Sequence, residues 1–184
     1  MVLIEIVIPP RKLQTARLQL RIPSMDDAEA IFKSYAQDEQ ATKYVIWSPH
    51  VSIEITREFL RRCIGVWEEE SAFPWIIIRR DENYVIGMFE LRIEGHKADL
   101  GYVIARPEWG KGYATEAVQA IVSWAIKQPS IMRVWALCDV DNKSSARVLE
   151  KVGMEREGLL RRFIIHPNES KKPRDVYCYS LIKE

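Results

Sequence analysis

The chain of 184 residues has 47% hydrophobic and 29% charged side chains, with a formal net charge of +1. This length suits one domain with a sizeable core, so we expect a single domain over 1–184. The balanced charge argues against nucleic acid as a partner. No apolar run in the sequence approaches the ~18–20 residues of a membrane helix, which argues against a membrane partner.

The cysteines and histidines carry no sign of a disulfide framework or a metal site. The cysteines are odd in number, and each lies in an apolar stretch, which is typical of buried, reduced thiols in a cytoplasmic protein. They are Cys63, Cys138 and Cys178. The histidines His50, His96 and His166 show no metal-ligand spacing. We therefore expect a cytoplasmic protein without a metal.

The N-terminal region is predicted to contain a strand followed by a helix. Residues 1–8 are apolar but lack a leading basic region, so we interpret them as an edge strand or a loose arm and not as a signal peptide. Alternating polar and apolar residues predict a strand over 17–22. The serine and aspartates of 24–27 then form a helix-start signal.

A loop with large rings is predicted between this helix and a second one. Segment 44–50 has bulky side chains, a proline and no clear period. Its rings, Tyr44 and Trp47, either line a pocket or cover the core. Ser52 is positioned to cap the second helix.

Strands and one crossover helix follow. Short polar turns separate β-rich segments over 73–80, 85–93 and 98–104, which predicts an antiparallel meander. A helical stripe after residue 113 ends before Pro129, and a buried strand over 132–138 follows, so this helix is predicted to connect parallel strands. A short helix then ends at Gly153, which has the position of a left-handed cap, before two final strands over 159–165 and 176–182.

A glycine turn between the meander and the crossover helix is the strongest candidate for a binding site. The first amides of a helix have no intrahelical partner and lie at the positive end of the helix dipole, so they can bind a phosphate. Gly110 and Gly112 lack the Cβ atoms that would hold a pyrophosphate away, and Lys111 adds a cation. Two glycines alone also fit an ordinary loop.

Two motifs taken together are more specific. After the glycine turn and a buried strand, Asn142-x-x-Ser145 leads into Val148-Leu149-Glu150-Lys151-Val152-Gly153-Met154. From about Ala16 onward the chain resembles the Gcn5-related N-acetyltransferase (GNAT) family, in its RimJ/RimL-like branch. The resemblance implies a single α/β (α+β) domain with a mixed, mostly antiparallel central sheet and flanking helices.

The resemblance also implies a site for acetyl-coenzyme A (acetyl-CoA). The turn would bind the pyrophosphate, the strand before it would pair with the pantetheine arm, and the asparagine would contact the cofactor. The implied cofactor-binding residues are Val103, Ile104, Trp109, Gly110, Lys111, Gly112, Tyr113, Ala114, Thr115 and Asn142. Trp109 stands where many members have Gln or Arg, as is common in this branch.

Amine acetylation needs a group that takes a proton from the amine and a donor for the leaving thiolate, but no metal. Asp99 matches an acidic residue often found before Leu-Gly-Tyr in such enzymes, and Glu90 is a second candidate base. Either is equally explained as a solvated strand carboxylate. Ser145 is the candidate acid, although Ser and Asn at a helix start are also ordinary caps. A backbone N–H near Tyr102 could face the acyl oxygen.

The acceptor is left open by the sequence. The resemblance suggests the N-terminal α-amine of a protein or peptide, attacked directly in a ternary complex, with a small-molecule amine as the alternative. A non-catalytic acetyl-CoA-binding module and an unrelated phosphate-binding protein are further alternatives, the latter disfavoured because no Walker pattern is present. Segment 161–174 is a basic hairpin that could border the acceptor groove. A homo-oligomer is possible.

Overall fold

Eight strands and four helices make up the fold that the computed structural model describes over residues 7–183. The strands are β1 (Lys12–Gln14), β2 (Leu18–Arg21), β3 (Phe73–Arg79), β4 (Tyr84–Glu94), β5 (Lys97–Ile104), β6 (Arg133–Asp139), β7 (Glu155–Ile164) and β8 (Arg174–Ile182). The helices are α1 (Ala28–Ile31), α2 (Ile53–Glu68), α3 (Tyr113–Ala125) and α4 (Lys143–Lys151).

The strands form one mixed sheet in the order β1-β2-β3-β4-β5-β6-β8-β7. Within the described residues its neighbouring strands are antiparallel, apart from β5 and β6, which are parallel. Helix α3 connects these two strands, as the sequence predicts. The structure therefore confirms the expected mixed, mostly antiparallel sheet with flanking helices.

The pairing between β5 and β6 is short, and this shapes the centre of the sheet. The two strands pair only from Lys97↔Arg133 to Asp99↔Trp135. Strand β5 continues to Ile104 and β6 to Asp139 without further pairing between them. A wedge-shaped gap therefore opens in the middle of the sheet, with free backbone groups along its sides.

Apolar side chains cover both faces of the sheet. On one face, α3 contributes the buried Val118, Ile121 and Val122 to the larger cluster, consistent with its predicted stripe. On the other face, α1 and α2 contribute Ile31 and Leu60 to a second cluster. Each such side chain stabilises the fold by roughly 1.5–3 kcal/mol relative to exposure, so both layers hold the gapped sheet in shape.

Some local predictions differ from the structure. The predicted first helix is short, because α1 gives way to a π-helical turn over Phe32–Ala36. Strand β1 was not predicted, since three residues are too few to show a period. Ser52 occupies the N-cap position of α2, but its side chain makes no capping hydrogen bond. The predicted edge strand or arm over 1–8 falls mostly on 1–6, outside the described residues.

The close packing of β4 on β5 generates a prediction at Gly87. A Cβ there would lie 2.2 Å from the backbone oxygen of Val103, which cannot move without disturbing β5. We expect Gly87→Ala to lower the free energy of unfolding by about 1–3 kcal/mol, the usual cost of overpacking. The measurement is denaturant unfolding. Gly65→Ala in α2 is the matched control, because no atom lies within 4 Å of its Cβ. Equal stability of the two variants would contradict this account.

Candidate functional site

The gap beside β5 exposes the backbone of alternate residues. The Val103 oxygen lies against β4 at Gly87, and the Ala105 N–H donates to Ile86 O at 2.7 Å. Because backbone groups alternate along a strand, those of Tyr102 and Ile104 are directed away from β4, into the gap. The Val103 oxygen thus faces β4 and not the gap, contrary to its predicted pairing with the cofactor arm, and its side chain belongs to the second core cluster. The Ile104 oxygen accepts a hydrogen bond of 2.7 Å from the Trp109 indole, so Trp109 folds back onto the end of β5.

The glycine turn presents unpaired amides at the start of α3. Gly110 and Gly112 have φ angles of +75° and +82°, and Gly112 is the N-cap residue. L-residues with a Cβ rarely adopt this left-handed conformation, so the turn depends on both glycines. In the described part of the chain, the amides of 110–115 donate to no protein acceptor. The turn therefore offers free backbone amides of the kind that bind anions, and anion binding at this turn stays a prediction.

Hydrogen bonds and ion pairs from the segment just before β2 hold this turn in place. Glu116 accepts hydrogen bonds from the Thr15 hydroxyl at 2.6 Å and from Arg17 Nε at 2.7 Å. Arg17 also donates to the Lys111 oxygen at 3.0 Å and lies over the Tyr113 ring. The Lys111 ammonium pairs with the buried Glu108 at 3.1 Å. Glu108 also accepts from Arg79 at 3.3 Å, so this single carboxylate is shared by two cations behind the turn.

Two cavities lie on either side of the gap. The first, the turn cleft, has a volume of about 600 Å³ and is bordered by the glycine turn, α4 and residues 40–45. The second, the inner chamber, has a volume of about 310 Å³ and is bordered by β4, β5, β6 and the aromatic loop of Tyr44 and Trp47. Both rings therefore line a pocket, and Trp47 also packs against the second core cluster, so it meets both alternatives.

Tyr102 and Ser145 lie where the two cavities meet. Both residues border both cavities, and the Tyr102 Oη lies 2.8 Å from Ser145 Oγ. Burial raises the pKa of Tyr102, so its phenol keeps its proton at neutral pH. The Asn142 side-chain oxygen accepts from Ser145 N at 3.1 Å and so caps α4. Asn142 therefore has a structural role as well as a place in both cavities.

The two predicted base candidates share one arginine in the inner chamber. Arg92 donates to Asp99 through Nε at 2.9 Å and through Nη2, and its Nη1 donates to Glu90 at 2.7 Å. Arg92 and Asp99 are opposite each other in the β4–β5 register. The structure thus brings both carboxylates together, but each is already hydrogen-bonded to a cation.

Comparisons with known proteins agree with this geometry. A model described as "Acetyltransferase (GNAT) domain" matches residues 17–155. The chain is also 33% identical to the uncharacterized N-acetyltransferase YoaA of Bacillus subtilis, over 93% of this chain and 96% of that one. The chain belongs to the GNAT acetyltransferase family.

More distant matches within the family have more informative descriptions. The ribosomal protein uS5-alanine N-acetyltransferase of Escherichia coli is 28% identical over 86% of this chain and 85% of its own. A solved structure of RimL, a ribosomal-protein α-N-acetyltransferase in complex with coenzyme A, has a TM-score of 0.81 at 22% identity, covering 92% of this chain and 96% of RimL. At that identity the RimL structure supports the shared fold.

Sequence reasoning missed several residues of this GNAT site. On α4, Lys143, Arg147 and Lys151 border the turn cleft. Their spacing of four residues is the signal that could have shown a basic stripe on one helix face. The side chain of Tyr102 was also missed. Its hydroxyl contacts Ser145, which lies 43 residues away in the sequence, so no local pattern could show this contact.

The acetyltransferase has neither a clustered metal site nor a membrane helix in the part described. Over residues 7–183, no group of three or more His, Cys, Asp or Glu is placed to hold a metal ion. The same residues contain no helix that is both long and apolar enough to cross a membrane.

The predicted basic hairpin is only partly a free basic surface. Arg174 points inward and donates to Asp139 at 2.6 and 3.0 Å and to Asp141 at 2.6 Å. Burial is the largest single effect on Asp139 and raises its pKa, but the hydrogen bonds from Arg174 and the Asp141 N–H, together with the positive charge of Arg174, outweigh burial and hold that pKa below its ordinary value. Arg174 thus supports the end of β6 that leads into α4, and does not face solvent as a recognition charge.

This ion pair generates a prediction of stability. Arg174→Gln leaves the Asp139 carboxylate, whose side chain is fully buried, without its main partner. We expect the free energy of unfolding to fall by about 3 kcal/mol at pH 7. The pKa of Asp139 is lower in the folded state than in the unfolded state, where it is about 3.9. The ionised carboxylate therefore stabilises the fold above about pH 3.9, and this stabilisation is lost as the pH falls through the folded-state pKa. The difference in the free energy of unfolding between variant and wild type should therefore become smaller below about pH 4.

The measurement is chemical denaturation at a series of pH values. Lys172→Gln is the control, because Lys172 is exposed on the same hairpin and its side chain has no ion pair in the described residues. A pH-independent difference, or an equal loss in the control, would show that the Arg174 contact is not the cause.

Proposed function

We propose that this acetyltransferase uses acetyl-CoA to acetylate the N-terminal α-amine of a protein or peptide. The observation that carries the proposal is the meeting of two cavities at Tyr102 and Ser145, with unpaired amides at the outer end of one and carboxylates in the other. The described activity of the uS5-alanine acetyltransferase relative supports the choice of a protein α-amine.

The residues of the turn cleft fit acetyl-CoA. The amides of 110–115 would bind its pyrophosphate, and the basic stripe of Lys143, Arg147 and Lys151 suits a further phosphate. The backbone of Tyr102 and Ile104 offers hydrogen-bonding groups to an extended amide-containing arm, and the Tyr102 N–H suits the acyl oxygen. When bound, acetyl-CoA supplies an activated acetyl thioester.

The inner chamber fits an amine that arrives as a cation. Asp99 and Glu90 carry two negative charges against the single positive charge of Arg92. This excess of negative charge attracts an ammonium. The Tyr102–Ser145 pair can give a proton to the leaving thiolate, since the raised pKa keeps the phenol protonated.

An acceptor panel tests the proposed substrate class. Wild-type protein is incubated with acetyl-CoA and either peptides with free N-termini, the same peptides blocked at the N-terminus, or small amines, and release of free thiol is followed. We expect turnover of the free peptides and little with blocked peptides of equal length. Turnover of small amines alone would contradict the peptide assignment and favour the small-molecule alternative.

The glycine turn is tested by cofactor-dependent stability. A carboxylate at the turn would fill the amide cradle and repel phosphate, so we expect Gly110→Glu and Gly112→Glu to abolish the rise in Tm that acetyl-CoA gives the wild type. Gly153→Glu is a matched control with a similar φ of +85° at the end of α4. It should lose comparable intrinsic stability but keep the cofactor-dependent rise. An unchanged rise in both turn variants would place the cofactor elsewhere.

The carboxylates of the inner chamber are tested by steady-state kinetics. Their pairing with Arg92 favours amine attraction over proton transfer, so we expect Asp99→Asn and Glu90→Gln to raise KM for the amine by about tenfold, or about 1.4 kcal/mol. The kcat at saturating amine should change less. The predicted role of Asp99 or Glu90 as the base would instead lower kcat, with a loss that shrinks as the pH rises.

A further inference from the structure

A buried histidine without hydrogen-bond partners borders the inner chamber. His166 follows β7 and is 4% exposed. Neither Nδ1 nor Nε2 makes a hydrogen bond of good geometry within the described residues, although the Val45 backbone lies near the ring and favours its protonated form. Leaving a buried polar atom unpaired costs roughly 1–3 kcal/mol, so an imidazole placed this way suits a ligand atom or a water in the chamber.

Two backbone hydrogen bonds and one aromatic contact hold His166 in position. The His166 backbone oxygen accepts from Glu169 N at 3.0 Å and from Ser170 N at 2.9 Å. Its ring packs edge-on against Tyr44, with 6.0 Å between ring centroids. Tyr44 borders both cavities, so His166 packs against a ring that the two cavities share.

Charged groups from three elements surround the imidazole. Asp139 of β6 places its Oδ2 3.5 Å from His166 Nε2. Arg174 of β8 binds the same carboxylate, and Glu169 belongs to the loop of His166 itself. Burial lowers the pKa of His166, and the attraction of Asp139 offsets this only in part. The ring is therefore neutral at pH 7 and can accept a proton.

We propose that His166 is the group that takes the proton from the acceptor ammonium, directly or through one water. This inference rests on the proposed function, because it concerns the amine that enters the inner chamber. Asp99 and Glu90 are both hydrogen-bonded to Arg92, whereas the nitrogens of His166 are unpaired and buried in the same chamber. His166 is thus the better placed of these groups to act as a base.

The proton balance follows from this assignment. The ammonium loses one proton to the His166 imidazole, which becomes an imidazolium near the Asp139 carboxylate. The neutral amine forms a bond from nitrogen to the thioester carbonyl carbon, and the carbon–sulfur bond breaks. The second amine proton passes to the leaving sulfur through the Tyr102–Ser145 hydroxyls. The products are an amide, a thiol and one proton, which the imidazolium returns to solvent.

The test compares two buried histidines. His166→Gln removes the base, whereas His50→Gln alters a histidine of similar burial whose Nδ1 already bonds Thr56 Oγ1 at 2.8 Å. We expect His166→Gln to lower kcat/KM at pH 7 by about 10²-fold or more, the usual contribution of a positioned base. The acetyl-CoA-dependent rise in Tm should be kept. His50→Gln should stay within a few-fold of wild type.

The pH profile distinguishes a base from a structural role. In the wild type, kcat/KM should rise with pH through a limb below about 6.5, the ordinary pKa of histidine, because burial lowers the value for His166. That limb should be absent in His166→Gln, and the deficit should shrink at high pH, where free amine is abundant. If kcat/KM of His166→Gln were lower than that of the wild type by the same factor at all pH values, the proposal would be overturned.

Measurements on the wild type keep the test valid if His166→Gln does not fold. NMR titration of the imidazole signals should show His166 neutral at pH 7 and shifted by an acceptor peptide. A protonated ring at pH 7, or no shift on adding peptide, would overturn the proposal. Full activity of a folded His166→Gln would overturn this inference alone. Failure of the wild type to acetylate any amine in the panel would overturn the proposed function and this inference together.

Discussion

The site depends on a strand pair that stops too early. Had β5 and β6 continued their ladder beyond Asp99↔Trp135, the backbone groups of Tyr102 and Ile104 would have been used within the sheet. Ending the pairing leaves the backbone groups of Tyr102 and the Ile104 N–H without a strand partner, while the Ile104 oxygen accepts from the Trp109 indole. Unpaired groups at the centre of the sheet are costly unless a ligand or water satisfies them. The helix and loop layers on both faces offset this cost, so the gap can serve as a binding groove in a stable fold.

The second requirement is a rigid connection between this gap and the glycine turn. The turn has two residues at positive φ and unpaired amides, so by itself it would be free to rearrange. Glu116 binds Thr15 and Arg17, which directly precede β2 and lie 101 and 99 residues away in the chain. Because β2 is built into the sheet, the anion site keeps a fixed position relative to β5, and little ordering remains to be done on binding.

The sequence predicted the elements and the turn because these depend on local pattern. The strand over 98–104, the glycine turn and the parallel crossover all correspond to β5, the α3 N-terminus and β6. What could not be predicted are contacts set by register and long-range packing. Arg92 between Asp99 and Glu90 follows from the β4–β5 register, and the placement of His166 beside Asp139 follows from how the last hairpin folds back. The pairing of Lys111 with Glu108 is likewise absent from any local sequence pattern, and the role of Lys111 toward a phosphate stays a prediction.

The inner chamber, which we propose takes the acceptor amine, is bordered by two loops that are bonded to each other. Asn168 donates to the backbone oxygens of Thr42 at 2.7 Å and Trp47 at 2.8 Å, and Lys43 pairs with Glu169 at 3.1 Å. The aromatic loop and the loop after β7 therefore form one unit over the chamber. Side chains in either loop change the chamber without altering the sheet or the glycine turn. Under the proposed function, specificity for the amine can therefore vary while the glycine turn stays constant, because the two cavities are built on opposite sides of the same gap.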